Sequence, residues 1–174
     1  MRTLQQAREF VRVARICTIF AQRPGLACLW TVVDLPEKQP DEQGWGEKIG
    51  HVWRWKNELP ARYPEEIYYG KIRGGHAVLM TIDYLTHVHY PQGHVPVSGC
   101  TPLARQLHRF IRSEPYTTGA LRREVLAGTR CTRAAFEGAL KELQVTLNIV
   151  RSNDPEVESD LWLPFEEQYP GLTN

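Results

Sequence analysis

A chain of 174 residues with 42% hydrophobic and 24% charged content can bury an ordinary core, as one domain or two small ones, and is not disordered in bulk. No apolar run approaches the roughly 20 residues that span a bilayer, and Arg8, Glu9 and Arg12 interrupt the N-terminal stretch where a signal peptide would be continuously apolar, so a cytoplasmic protein is expected. The net charge of +1 conceals a basic block, residues 101–151 with nine Lys and Arg against four Asp and Glu, followed by residues 152–174 with six acidic residues and no basic ones.

In the first half, "LQQAREFVRVARICTIF" places Leu4, Ala7, Val11 and Ala14 on a helical stripe, and "LACLWTVVDL" reads as a second short helix. After the loop "PEKQPDEQGWG", "GHVWRWKNELP" reads as a third helix that Pro60 ends. "IYYGKIRGGHAVLMTI" then offers two β-favouring runs around Arg-Gly-Gly-His, a hairpin signature. Asp83 stands as an N-cap candidate before "YLTHV".

The stretch 93–102, "GHVPVSGCTP", has two Gly, two Pro and no Asp, Glu, Lys or Arg, and reads as a linker between an N-terminal domain over 1–92 and a C-terminal one over 103–174. Beyond it, Leu103, Leu107, Phe110 and Ile111 share a helical face with Pro102 in the first turn. Thr117 or Thr118 caps a second helix with Leu121, Val125 and Leu126 apolar and Gly128 as its stop. Phe136, Ala139, Leu140, Leu143 and Leu147 give a third helix the strongest amphipathic pattern in the chain. Two β runs follow, Ile149–Val150 and Leu161–Leu163, around a turn rich in Ser, Asn, Asp and Pro. Three helices and a hairpin, twice over, predict an α+β fold of tandem winged-helix-like units, mainly helical with short β-hairpins.

Three of the five tryptophans lie in residues 44–60. On a helix Trp53 and Trp55 are about 200° apart. Val52, Trp55 and Leu59 make the better buried side, leaving Trp53 near Lys56 on the surface, where an indole beside a cation can stack on an unpaired base. In a helix-turn-helix, the third helix enters the major groove and the second reaches phosphates. That geometry assigns nucleic-acid contacts to Arg130, Thr132, Arg133 and Lys141, with Arg122 and Arg123 behind them. Glu137 interrupts this face, and the hairpin loop with Asp154, Glu156, Glu158 and Asp160 would repel phosphate, so the acidic C-terminal region suits a protein partner instead.

Cys17, Cys28, Cys100 and Cys131 lack metal-type spacing and read as free thiols, and His87, His89 and His94 have no partnering carboxylate, so no metal is expected. Phosphate-loop, dinucleotide and nucleophile-elbow motifs are absent, and no cofactor is expected.

The consecutive winged-helix pattern, the Trp-rich helix with its proline and the segment "TRAAFEGALKELQ" together resemble the winged-helix family of the crosslink-repair DNA glycosylases, of AlkZ or YcaQ type, and their shorter relatives. The resemblance implies a DNA-binding protein acting on alkylated or damaged DNA. In that family an early Gln-apolar-Asp or Gln-apolar-Gln motif positions water as the glycosidic bond breaks; the comparable region here, "VARICTIFAQRP", has Arg15, Ile16 and Cys17 instead. The family's Trp-x-His-Glu-Ala segment has a loose counterpart in "WRWKNELP", which makes Glu58 the catalytic candidate. Two other readings stay open: a non-catalytic protein-interaction module and a sequence-specific transcriptional regulator.

Overall fold

A computed structural model describes residues 1–41, 43–128, 131–156 and 160–172. The chain divides into two compact units, Met1–Tyr69 with His76–Leu85, and Gly70–Gly75 with Thr86–Asn174.

In the first unit, helix α1 (Leu4–Ala14) starts at a capping box: the Thr3 hydroxyl accepts from the Gln6 N–H, and the Gln6 side chain accepts from the Thr3 N–H. Ala7 and Val11 face the core. The helix stops at Ala14, short of the stretch expected from sequence, because Arg15 takes φ +61° and turns the chain into strand β1 (Ile16–Thr18). All three β1 residues are buried, the pattern of a strand covered on both faces, which carries no alternation for a sequence reading to find. Strand β2 (Ala27–Cys28) leads into the short helix α2 (Leu29–Val32).

Helix α3 (Glu47–Arg62) buries Val52, Trp55 and Leu59 against α1 and the sheet. Pro60 does not end it. A proline removes one N–H from the helical ladder, and here it sits in the last turn; the Tyr63 N–H still reaches the Leu59 carbonyl at 3.0 Å and the Pro60 ring is buried. Strands β3 (Ile67–Lys71) and β4 (Ala77–Thr81) form the expected hairpin, whose turn uses positive φ at Gly74 (93°) and Gly75 (80°). The sheet runs β2-β1-β4-β3, with β1 parallel to β2 and antiparallel to β4, Cys17 facing Leu79.

After β4, helix α4 (Ile82–Tyr84) is capped by Thr81, whose hydroxyl accepts from the Tyr84 N–H. Asp83, the cap candidate from sequence, lies inside the first turn and pairs with Arg15 at 2.7 Å. A π-turn over Leu85–His89 and helix α5 (Tyr90–Gly93) follow, so His87 and His89 are helical rather than on a strand.

In the second unit, the 93–102 segment holds a 3₁₀ turn (Val97–Gly99) and is fastened by Val95, whose N–H donates to the Thr146 carbonyl (3.3 Å) and whose carbonyl accepts from Asn148 Nδ2 (2.9 Å). Helix α6 (Pro102–Ser113) has Thr101 as N-cap and Pro102 at its start. Strand β5 (Tyr116–Thr117) precedes helix α7 (Thr118–Gly128), where the Thr117 hydroxyl accepts from the Ala120 N–H. Leu121 and Val125 are buried but Leu126 is exposed, so the apolar face is narrower than the sequence suggests.

Helix α8 (Arg133–Val145) buries Phe136, Ala139, Leu140 and Leu143. It closes on Leu147 at φ +57°, and the Asn148 N–H reaches back to the Leu143 carbonyl. Strands β6 (Ile149–Arg151) and β7 (Leu161–Pro164) complete a three-stranded antiparallel sheet in the order β5-β7-β6, followed by helix α9 (Phe165–Gln168) and a 3₁₀ turn. Its core gathers α6, α7, α8 and Trp162, whose indole N–H donates to the Thr118 hydroxyl at 2.8 Å. No helix among the described residues is long and apolar enough to cross a membrane.

Candidate nucleic-acid interface

The tryptophan segment divides as helical geometry requires. Trp55 is 2% exposed in the first core, while Trp53 is 44% exposed and Trp45 65%. Gly46 starts α3 so close to Lys38 that a Cβ there would lie 2.6 Å from the lysine Cβ, so only glycine lets the preceding loop pass and holds Trp45 beside the helix. Trp45 then meets Trp53 edge to face at 5.3 Å, and Phe20 links Trp53 (6.4 Å) to Trp30 (6.0 Å). The result is a partly exposed aromatic platform.

Two lysines lie beneath it. Lys56, 4% exposed, sits with its ammonium 4.1 Å from the Trp53 ring centre and 4.9 Å from that of Tyr69. Lys48, 7% exposed, lies 4.5 Å from the Trp30 ring centre and 2.8 Å from Glu37 Oε1. Each ring face adds about 0.5–2 kcal/mol of cation–π attraction, more where water is excluded. Lys56, expected at the surface beside Trp53 as part of the nucleic-acid contact, is instead buried and supports the platform from inside. Sequence spacing set it beside Trp53 correctly, but Tyr69, which covers it, arrives from β3.

Glu58 lies on the same helix between Arg54 (3.9 Å) and Arg62 (3.6 Å), each one turn away. Its carboxylate belongs to a surface ion-pair ladder. Ile16 and Cys17, at the position compared with the family's water-positioning motif, are buried in β1, and burial pushes the Cys17 thiol up to about 12, so it stays a protonated packing group.

In the second unit, Arg123, Arg133 and Lys141 are exposed, and Arg122 reaches Glu137 at 3.3 Å. Thr132 is the N-cap of α8, its hydroxyl accepting from the Ala135 N–H at 3.2 Å. Arg130 lies outside the described residues. The Lys141 side chain passes over Gly75, where an added Cβ would lie 2.9 Å from its Cδ. Lys71 stands nearby with its ammonium below the usual range, chiefly through burial, with Lys141 adding repulsion against the opposing pull of Asp160 and Glu137. The β6–β7 loop carries Asp154, Glu156 and Asp160, the last paired with Arg151 at 3.4 Å. Among the described residues no group of three or more His, Cys, Asp and Glu is arranged to hold a metal.

One basic group went unnoticed in sequence. Arg105, Arg109 and Arg112 project from α6 into solvent. Their i, i+4, i+7 spacing was the available signal, whereas helix-turn-helix geometry places the groove contacts on the helices after it.

A family model described as AlkZ related matches residues 1–159. No curated protein and no solved structure matches the chain.

Proposed function

The chain belongs to the AlkZ-related family, and from that premise we propose that it is a DNA-binding protein of two winged-helix units that engages damaged DNA, as a relative of the DNA-repair glycosylases. Three features support the architecture. Each unit runs helix, short strand, two helices and two strands: α1-β1-α2-α3-β3-β4 and α6-β5-α7-α8-β6-β7, with β2 inserted in the first. In each sheet the last strand lies between the other two, in the orders β1-β4-β3 and β5-β7-β6. The third helix of each unit, the one that would enter a groove, carries an exposed contact group, Trp53 on α3 and Arg133 on α8.

The observation that carries the function is the Trp45–Trp53 platform backed by buried cations. Two indoles left half in water cost stability that burial would have supplied, and a base unstacked from the duplex at a lesion would restore that contact. Glu58 remains the candidate for base-excision chemistry, although its two arginine neighbours direct its carboxylate toward structure.

The test is fluorescence anisotropy with paired duplexes, one intact and one carrying an alkylated base, alongside an assay for abasic-site release. Tighter binding of the lesion duplex supports the reading; equal affinity for both, or none at micromolar protein, refutes it. The acidic β6–β7 loop favours a protein-contact role for that edge as a second reading. Neutralising Asp154 and Glu156 to Asn and Gln should leave a protein-contact role measurable as lost partner capture with DNA affinity not reduced.

A further inference from the structure

Residues 84–113 contain no Asp or Glu. Helix α6 lies in that stretch, and its roll is fixed by Ala104, Leu107 and Ile111 in the second core. At 100° per residue, Arg105, Arg109 and Arg112 then fall within about 60° of arc on the solvent side. Arg105 is steadied by donating to the Ser98 carbonyl at 3.2 Å. None of the three forms an ion pair among the described residues. In the first unit, by contrast, Arg2, Arg8, Arg12, Arg15, Arg54 and Arg62 each face a carboxylate. Gln106 and Ser113 flank the row, and with Arg109 and Phe110 they line a shallow depression of about 300 Å³.

Like charges at i, i+4 on a helix destabilise it by a few tenths of a kcal/mol. An anion along the row would relieve that repulsion. From Arg105 to Arg112 the helix rises about 10.5 Å at 1.5 Å per residue, and one strand of a duplex presents a phosphate about every 3.4 Å along its axis. The row is therefore long enough to face three consecutive phosphates of one strand.

We propose that the α6 face formed by Arg105, Arg109 and Arg112 seats the sugar-phosphate backbone of duplex DNA, one phosphate for each guanidinium. The inference rests on the DNA-binding reading above and adds a surface outside the third helices. Contacts of this kind position the duplex and carry no base information.

The experiment measures the affinity of the full chain for two duplexes of unrelated sequence across a salt series, for wild type, for Arg105→Gln/Arg109→Gln/Arg112→Gln and for the matching triple Lys variant. Gln resembles Arg in helix propensity, and circular dichroism confirms folding of each variant. The Gln variant should show a log-log salt slope less negative by about 2–3, since each phosphate contact contributes about −0.9. The loss should be equal on both duplexes, and the Lys variant, which keeps the charges, should retain the wild-type slope. A folded Gln variant with the wild-type slope overturns this inference while leaving the DNA-binding reading intact. A loss confined to one sequence, or a Lys variant that loses as much as the Gln variant, overturns it as well. Wild-type protein that binds neither duplex overturns both readings together.

Discussion

Replacing Trp55 and Trp53 in turn by alanine separates the structural work of the tryptophan segment from its binding work. A fully buried Trp removes about 150–250 Å² from water, which at about 25 cal/mol/Å² is worth about 4–6 kcal/mol. Trp55 is in that state, packed among Val52, Leu59, Ile67 and Leu79, so Trp55→Ala should cost about 3–5 kcal/mol, the usual range for a truncated core aromatic. Trp53 keeps 44% of its surface in water, so the same arithmetic gives Trp53→Ala roughly 2–3 kcal/mol. Urea unfolding followed by far-UV circular dichroism reads both losses as midpoint shifts at constant slope. At a temperature where both variants remain folded, Trp53→Ala should weaken binding of single-stranded or lesion-containing DNA by about 5- to 150-fold, the equivalent of 1–3 kcal/mol for one stacked base. It should change affinity for an intact duplex much less. Equal destabilisation by the two substitutions, with no effect of either on DNA affinity, would refute the division of labour and make the segment core alone.

Thr132→Ala should destabilise by about 1 kcal/mol through loss of the α8 cap, with the salt slope for DNA unchanged; a flattened slope would return Thr132 to the interface. Of the four thiols, Cys17, Cys28 and Cys100 are buried and Cys131 is partly exposed, so a thiol reagent should titrate one group rapidly in native protein and four after denaturation, and a second fast native thiol would contradict the packing. Burial holds the imidazoles of His89 and His108 below their ordinary value, with Glu166 partly offsetting the effect at His108. The stability from each neutral ring is complete above the unfolded-state pKa of about 6.5 and is lost as pH falls from there toward the folded-state value. Melting temperature should therefore drop as pH falls below about 6.5, and His89→Gln/His108→Gln should shrink that drop; an unchanged profile would argue against it.

Most helices were legible because their apolar residues repeat at the helical period on one buried side, as with Phe136, Leu140 and Leu143 in α8. Both hairpins were legible for the same kind of local reason, a glycine pair at the β3–β4 turn and β-favouring runs around a polar turn at β6–β7. The strands β1, β2 and β5 were not: they have three, two and two residues, and each exists only through pairing with a distant partner. Pro60 and Asp83 show local signals overruled by their neighbours, one tolerated in a last turn, the other displaced as cap by Thr81 two residues earlier. In the candidate site, the inside-outside division of Trp55 and Trp53 followed from helical angle alone. The burial of Lys48 and Lys56 did not, because Trp30, Glu37 and Tyr69 meet α3 only after folding.

If the chain engages DNA through its positive charge, wild-type binding to an ordinary duplex of about 20 base pairs must weaken steeply with salt. Three phosphates on α6 alone set a log-log slope of about −2.7, and contacts from Arg123 and Arg133 would steepen it toward about −4.5 at −0.9 for each. A slope in that range supports the account. Equal affinity at about 50 and 200 mM salt, or no binding at micromolar protein, would contradict it.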